Sequence, residues 1–281
     1  MYAKNASRYT YDSNNIRYAL YQTNGIENYN WLFFPGGPGV DSSYFHGLVK
    51  ILNLPGKVWL IDLPGNGSNV EGVVPYDFDK WFKIFPKMIQ KFENPILVGH
   101  SFGGMFPLLF PELEDKLSAF VILNSAPSLW LEAAVEYSQQ FDLPDLSKEM
   151  ADFTQYPSQE TFEVALDACM PYYFTKDTLD LGRELLLKVP FQYLPAVWWQ
   201  RKAIELKFYA KWVPQAVPTL VLGSKYDCIC PFFLFKNDKR FQRENIRLAY
   251  IENAGHLPWV EQPLVVKSMF TEFVKSLKVD Y

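Results

Sequence analysis

An α/β fold is predicted, with a mostly parallel sheet flanked by helices and a helical insertion after its sixth strand. Three observations predict it. First, short apolar runs recur at Asn30–Phe34, Val58–Asp62, Pro95–Gly99, Ala119–Leu123, Thr219–Gly223 and Ile246–Ile251. Near-continuous apolar runs of this length suit strands buried on both faces, as in a parallel sheet covered by helices. Second, Gly/Pro-rich turns and longer amphipathic stretches follow these runs. Asp77–Phe92 and Pro263–Leu277 carry apolar residues at helical spacing between lysines, and the alternation implies βα units. Third, the rhythm breaks between Ser128 and Val213. That stretch is rich in Trp, Tyr, Phe, Glu and Lys, with prolines at 144, 157, 171, 190 and 195, and reads as several short helices. The expected organisation is therefore a core of residues 1–127 and 214–281, with residues 128–213 inserted as a helical cap. Arg8–Tyr11 and Asn15–Tyr21 are expected to add an antiparallel pair at one sheet edge.

Bulk composition narrows the function classes. Of the 281 residues, 49% are hydrophobic and 21% charged, which is ordinary globular usage. The aromatic share of 17% is high and implies large buried or pocket-lining rings. A formal net charge of -4 carries no footprint for nucleic acid. No apolar stretch approaches the ~20 residues of a membrane span, and the opening residues 1–15 carry no signal-type apolar region after Lys4. Cys169, Cys228 and Cys230 are too few and odd in number for a disulfide framework, so a cytoplasmic location is expected. Cys228-Ile229-Cys230 has no second ligand cluster at metal spacing, and neither a metal nor a cofactor is expected.

The chemistry lies in three loops. Gly99-His100-Ser101-Phe102-Gly103 follows a buried-strand run and precedes a helix. This is the G-x-S-x-G elbow in its required context, where a tight strand-to-helix turn presents a serine Oγ at the carboxyl edge of the sheet. A serine hydroxyl attacks only when a base takes its proton. Of the three histidines, His100 lies inside the elbow and points away from Ser101, and His46 comes before the elbow. His256 follows the last strand run, in the chain order Ser, acid, His. Asp227, after Leu220-Val221-Leu222, is the expected acid; it also has the position of a turn residue capping the helix after Pro231. Glu252 and Glu261 flank the histidine less favourably. An oxyanion needs two backbone N–H donors. Phe102 supplies one, and the loop Pro35-Gly36-Gly37-Pro38-Gly39 the other. Proline has no N–H, leaving Gly36 or Gly37, with Gly37 favoured.

Together these segments resemble the α/β-hydrolase superfamily, and within it the prolyl iminopeptidase and related esterase branch. Pro35–Phe45 is similar to that branch's H-G-G-P-G loop and the Ser/Tyr/Phe run behind it. Asp62-Leu63-Pro64-Gly65-Asn66-Gly67-Ser68 is similar to its D-x-P-G-x-G-x-S segment. The resemblance covers roughly residues 10–127 and 214–281, and implies a serine hydrolase with a helical cap. One position departs: Pro35 stands where the loop usually opens with His.

The expected activity is cleavage of a small ester, amide or thioester through an acyl-enzyme on Ser101, His256 and Asp227, with a small-molecule substrate. Tyr172, Tyr173, Trp198 and Trp199 are the expected pocket rings. Pro35 and the ring-rich cap favour a hydrophobic acyl ester. The alternatives are an iminopeptidase-type aminopeptidase, a C–C bond hydrolase or lyase on the same triad, and a non-catalytic hydrolase-fold binding protein. Fold membership alone never settles the substrate.

Overall fold

The computed structural model describes residues 9–25, 28–70 and 76–277. Arg8 and the opening stretch with Lys4 lie outside the described residues. The strands are β1 (Tyr9–Tyr11), β2 (Arg17–Asn24), β3 (Asn30–Phe34), β4 (Gly56–Asp62), β5 (Pro95–His100), β6 (Ala119–Leu123), β7 (Thr219–Ser224) and β8 (Ile246–Ile251). They form one sheet in the order β1-β2-β4-β3-β5-β6-β7-β8. β1 and β2 pair antiparallel at one edge, β2 pairs antiparallel with β4, and every later pairing is parallel.

The apolar runs are strands because both of their faces are covered. Along β3, Leu32 and Phe34 join one core layer while Trp31 and Phe33 join the other, the period of two that a pleated strand imposes. β6 divides in the same way, with Phe120 and Ile122 on one side and Val121 and Leu123 on the other. Helix α1 (His46–Ile51) and the last helix, α12 (Pro263–Leu277), cover the second layer through Leu48, Val49, Val266, Phe270 and Phe273. Helix α2 (Trp81–Ile89) covers the first through Trp81, Phe85 and Met88. It is shorter than the 77–92 stretch expected. Residues 78–80 form a 3₁₀ turn capped by the Asp77 side chain, and the chain leaves the helix at Gln90.

The short helix α3 (Phe102–Met105) follows β5 and gives way to a 3₁₀ turn containing Pro107, which cannot donate to the helical ladder. Between β6 and β7 lie α4 (Leu131–Ser138), α5 (Ser147–Gln155), α6 (Gln159–Ala168), α7 (Met170–Tyr173), α8 (Leu179–Leu186) and α9 (Tyr193–Glu205). This helical segment meets the core at the isolated bridge of Val40 with Phe191, and a second bridge, Ser128 with Tyr209, ties its own two ends together. Two short helices, α10 (Phe233–Lys236) and α11 (Pro258–Glu261), precede α12. Among the described residues no helix is long and apolar enough to cross a membrane.

The topology decides where a site can form. From β3 the chain goes to β4 on one side, then returns to β5 on the other. A crevice opens at the carboxyl ends of strands where the winding reverses. The loop after β3 and the elbow after β5 meet there, with Phe34 in register with Gly99.

Candidate active site

Ser101 occupies a conformation that its neighbours enforce. Its φ of 53° and ψ of -120° are unfavourable for a residue with a Cβ. The strand must pass its own helix closely: a Cβ on Gly99 would lie 2.0 Å from Gly103 O, and one on Gly103 2.2 Å from Phe34 O. Hydrogen bonds hold the turn, from Ser101 N to Leu123 O at 3.0 Å and from Ser125 Oγ to Ser101 O at 2.7 Å. The Phe102 N–H stands at the helix start, where N–H groups have no intrahelical acceptor.

Asp227 and His256 pair in the interior, with Nδ1 of the ring 3.0 Å from both carboxylate oxygens. Both residues are essentially inaccessible to solvent. The carboxylate is further held by donors: Ile229 N at 2.9 Å and Cys230 N at 2.8 Å on Oδ1, and Asn124 Nδ2 at 2.9 Å on Oδ2. With every neighbour donating, the carboxylate can only accept, so His256 carries its proton on Nδ1 and leaves Nε2 as a base. Asn124, at a φ of 40° after β6, also donates to Ser224 Oγ and Gly255 O, tying β6, β7 and the histidine loop together. Cys230 lies beside Asp227 and Ser101. Burial and the Asp227 charge push its thiol well above the usual range, against a hydrogen bond with Ser101.

The loop after β3 is braced from three sides. Gly36 N donates to Tyr44 Oη at 3.0 Å, and Gly39 N to Asn66 Oδ1 at 2.8 Å. Gly39 O accepts from Gly67 N and Gln192 N. Pro35 and Pro38 have no N–H, so Gly37 is the glycine of this loop whose N–H has no acceptor among the described residues. Its φ of 97° is readily open only to glycine.

His100 faces away from Ser101 and links the loops. Its Nε2 lies 2.9 Å from His256 O, a carbonyl, so Nε2 carries the hydrogen. Nδ1 is then an acceptor and takes the Tyr44 O–H at 2.7 Å. The relay from Gly36 N–H through Tyr44 and His100 to His256 O joins the glycine loop, the elbow and the histidine loop. Burial, and then the neighbouring His256, hold His100 well below its ordinary pKa, so it stays neutral.

Beneath the loop sits a buried ion cluster. Arg17 Nη2 lies 2.7 Å from Asp41 Oδ2 and 2.7 Å from Asp62 Oδ2, and Nη1 donates to Ser68 Oγ at 2.7 Å. Ser42 N and Oγ donate to Asp62, and Ser68 N and Oγ to Asp41. Burial alone would raise Asp41, but the hydrogen bonds from Ser68, Ser43 and Arg17 hold it to about 2. Burial and the Asp41 charge push Asp62 up to about 6 despite Arg17. The sequence reading missed this cluster and the Tyr44–His100 relay. The only visible signal was the polar pattern of 41–43 and 62–68.

Ser101 and His256 open on one cavity of about 230 Å³. It lies where the two core layers meet, with Phe102, Met105, Trp130 and Trp199 on one wall and Phe153, Phe162, Leu166 and Phe191 on the other. Among the described residues that line it there is no Asp, Glu, Lys or Arg. Tyr173 and Trp199 line it as expected, whereas Tyr172 and Trp198 do not. Tyr172 turns outward and donates to Pro144 O. Trp198 packs on Phe78 and Trp81 and donates to Asp79. Neighbours on a helix point about 100° apart, so one ring of each doublet faces in and the other out. Glu261 is a brace, accepting from Gly255 N, Thr175 N and Thr178 Oγ1. Glu252 is exposed beside Lys225, and His46 stacks on Tyr21 away from the cavity. Among the described residues no group of three His, Cys, Asp or Glu could hold a metal ion.

Comparison with known proteins agrees with this architecture. The chain is 25% identical over 258 residues to the pimeloyl-(acyl-carrier protein) methyl ester esterase of Wigglesworthia glossinidia brevipalpis, covering 87% of this chain and 93% of that one. Its fold is similar to an esterase from Exiguobacterium antarcticum, with a TM-score of 0.65, 17% identity and 95% and 98% of the two chains covered. It is similar also to a thermophilic esterase from Thermogutta terrifontis, with a TM-score of 0.59, 20% identity and coverage of 93% and 94%. Residues 31–267 match the family model described as the alpha/beta hydrolase family, and the chain is a member of that family.

Proposed function

We propose that the protein is an esterase of neutral, largely apolar esters, working through an acyl-enzyme on Ser101. One observation carries this: a strained serine and a buried His–Asp pair share a cavity with no charged side chain among the described residues of its lining. In this reading Ser101 Oγ attacks the ester carbonyl carbon while His256 Nε2 takes its proton. The carbonyl oxygen becomes an oxyanion that accepts from the N–H groups of Gly37 and Phe102. As the intermediate collapses, His256 returns the proton to the leaving alcohol. A water, deprotonated by the same nitrogen, then releases the acid and restores Ser101. Asp227 holds the imidazole in the needed tautomer and stabilises its charged form. Residues 128–213 act as the cap that turns the sheet edge into a pocket.

The uncharged lining separates this reading from an aminopeptidase. A substrate ammonium bound there would lose its hydration with no carboxylate among the described lining residues to pair with, and burial of an unpaired charge is strongly unfavourable. Leaving-group chemistry points the same way, because an alkoxide needs less protonation than an amine. The likeness to a methyl ester esterase supports a small alcohol as leaving group. The test is kcat/KM for p-nitrophenyl acetate and butyrate against proline p-nitroanilide. Ester turnover is expected to dominate. A ratio of amide to ester above one overturns the esterase reading in favour of the peptidase.

A further inference from the structure

The helical segment between β6 and β7 reaches back to the loop that carries Gly37. Residues 190–193 run extended before α9 begins, with Gln192 at a φ of -114° and a ψ of 129°. Their backbone pairs with the glycine loop as a strand would. Asp41 N donates to Pro190 O at 3.0 Å, Gln192 N donates to Gly39 O at 3.0 Å, and Val40 faces Phe191 in an antiparallel bridge. The Gln192 side chain adds a bond from Nε2 to Gly67 O at 3.0 Å, and Gly67 N itself donates to Gly39 O. The approach is close, since a Cβ on Gly39 would lie 2.1 Å from Gln192 O. The Phe191 ring, part of the cavity wall, lies against the same loop: a Cβ on Gly37 would stand 3.2 Å from its Cζ.

Gln159, on α6, holds residues 190–193 from behind. Its Nε2 donates to Phe191 O at 2.8 Å, and its Oε1 accepts from Tyr193 N at 3.3 Å. Gln159 is half-buried and is not among the residues lining the cavity. An oxyanion donor is effective only when it is aimed before the charge develops. A loop with glycines at 36, 37 and 39 has little stiffness of its own, so bonds to its neighbours must set its shape. On the side that leads away from Gly37, Gly39 O and Asp41 N are both held by residues 190–193.

Resting on the esterase reading, we infer that residues 190–193 are a strap that fixes the oxyanion donor of Gly37, with Gln192 and Gln159 as positioning residues for the reaction. The helical segment then contributes to the rate as well as to the walls of the pocket. An interaction of this kind acts in the transition state, so its loss lowers kcat and kcat/KM together and leaves KM alone.

The experiment uses Gln192→Met and Gln159→Leu, which keep most of the side-chain bulk and remove the amide. Active sites are first titrated with a fluorophosphonate, so that misfolded chains are not counted. The readouts are kcat and KM on p-nitrophenyl butyrate and Ki for an alkyl trifluoromethyl ketone, whose adduct with Ser101 carries an oxyanion. Removing a whole oxyanion donor costs about 10²–10³ in kcat, and a loosened one is expected to cost each variant about tenfold. KM is expected to stay within about twofold of wild type, and Ki to rise by the factor by which kcat/KM falls. Gln159→Leu changes a residue away from the cavity, so the test does not depend on Gln192 alone. Wild-type kcat per titrated site in both variants overturns the strap. So does a raised KM at unchanged kcat, as expected if these residues only shape the pocket, or a lowered kcat with unchanged ketone affinity. Absence of Ser101-dependent ester turnover in the wild type instead refutes the esterase reading, so the two failures are distinguishable.

Discussion

Replacing Arg17 with methionine isolates the contribution of the buried cluster under the glycine loop. The substitution retains most of the side-chain volume and removes the charge. Four hydrogen bonds disappear, two to Asp62, one to Asp41 and one to Ser68. Asp41 and Asp62 keep their serine donors but face each other as buried carboxylates. Breaking a buried pair by removing one partner costs about 3–5 kcal/mol. At roughly 2 °C per kcal/mol for a domain of this size, the melting temperature falls by about 6–10 °C. The sign of the pH dependence follows from Asp62, whose folded pKa of about 6 lies above its ordinary 3.8. A carboxyl raised in this way contributes stability when protonated, fully so below 3.8, and loses it as pH rises through the folded value. Without Arg17 that value rises further, so the variant is penalised more at pH 8 than at pH 5. Urea unfolding of both proteins at the two pH values measures this. A loss under about 1 kcal/mol, or one equal at both pH values, refutes the reasoning.

Asp227→Asn is expected to lower kcat by about 10⁴-fold on p-nitrophenyl butyrate, and to cost some stability because its amide NH₂ must confront donors on every side. Glu252→Gln, on an exposed side chain, is expected to match wild type; if it is the impaired variant, the acid has been misassigned. Tyr44→Phe removes the acceptor for Gly36 N–H and the donor to His100. It is expected to cost about 1–3 kcal/mol in unfolding free energy and to lower kcat more than it raises KM. Unchanged stability and kcat would show that the relay does not brace the glycine loop.

Much of this architecture was legible in the sequence because it rests on short-range rules. A strand buried on both faces must be apolar at successive positions, so Trp31–Phe34 and Ala119–Leu123 announce themselves. The elbow, Asp227 and His256 each sit within a few residues of a strand end, so their order along the chain reports their meeting at one sheet edge. The cluster and the relay obey no such rule. Arg17 reaches Asp41 across 24 positions and Asp62 across 45, and Tyr44 reaches His100 across 56. Only the assembled sheet brings those side chains together. Tyr172 and Trp198 were misplaced for another reason. An aromatic doublet on a helix divides between inside and outside, and composition does not say which ring turns in. The absence of charge among the described lining residues was equally hidden, because the acidic side chains of 128–213 are numerous and none of them lines the cavity.

The central claim is that Ser101 is the nucleophile, activated by His256. Intact-mass spectrometry after treatment with a fluorophosphonate, followed by peptide mapping, tests it directly. The expected result is one adduct per chain, on the peptide containing Ser101. It should be absent in Ser101→Ala and strongly slowed in His256→Ala. An adduct mapped to another residue, or Ser101→Ala labelled as fast as wild type, would contradict the account.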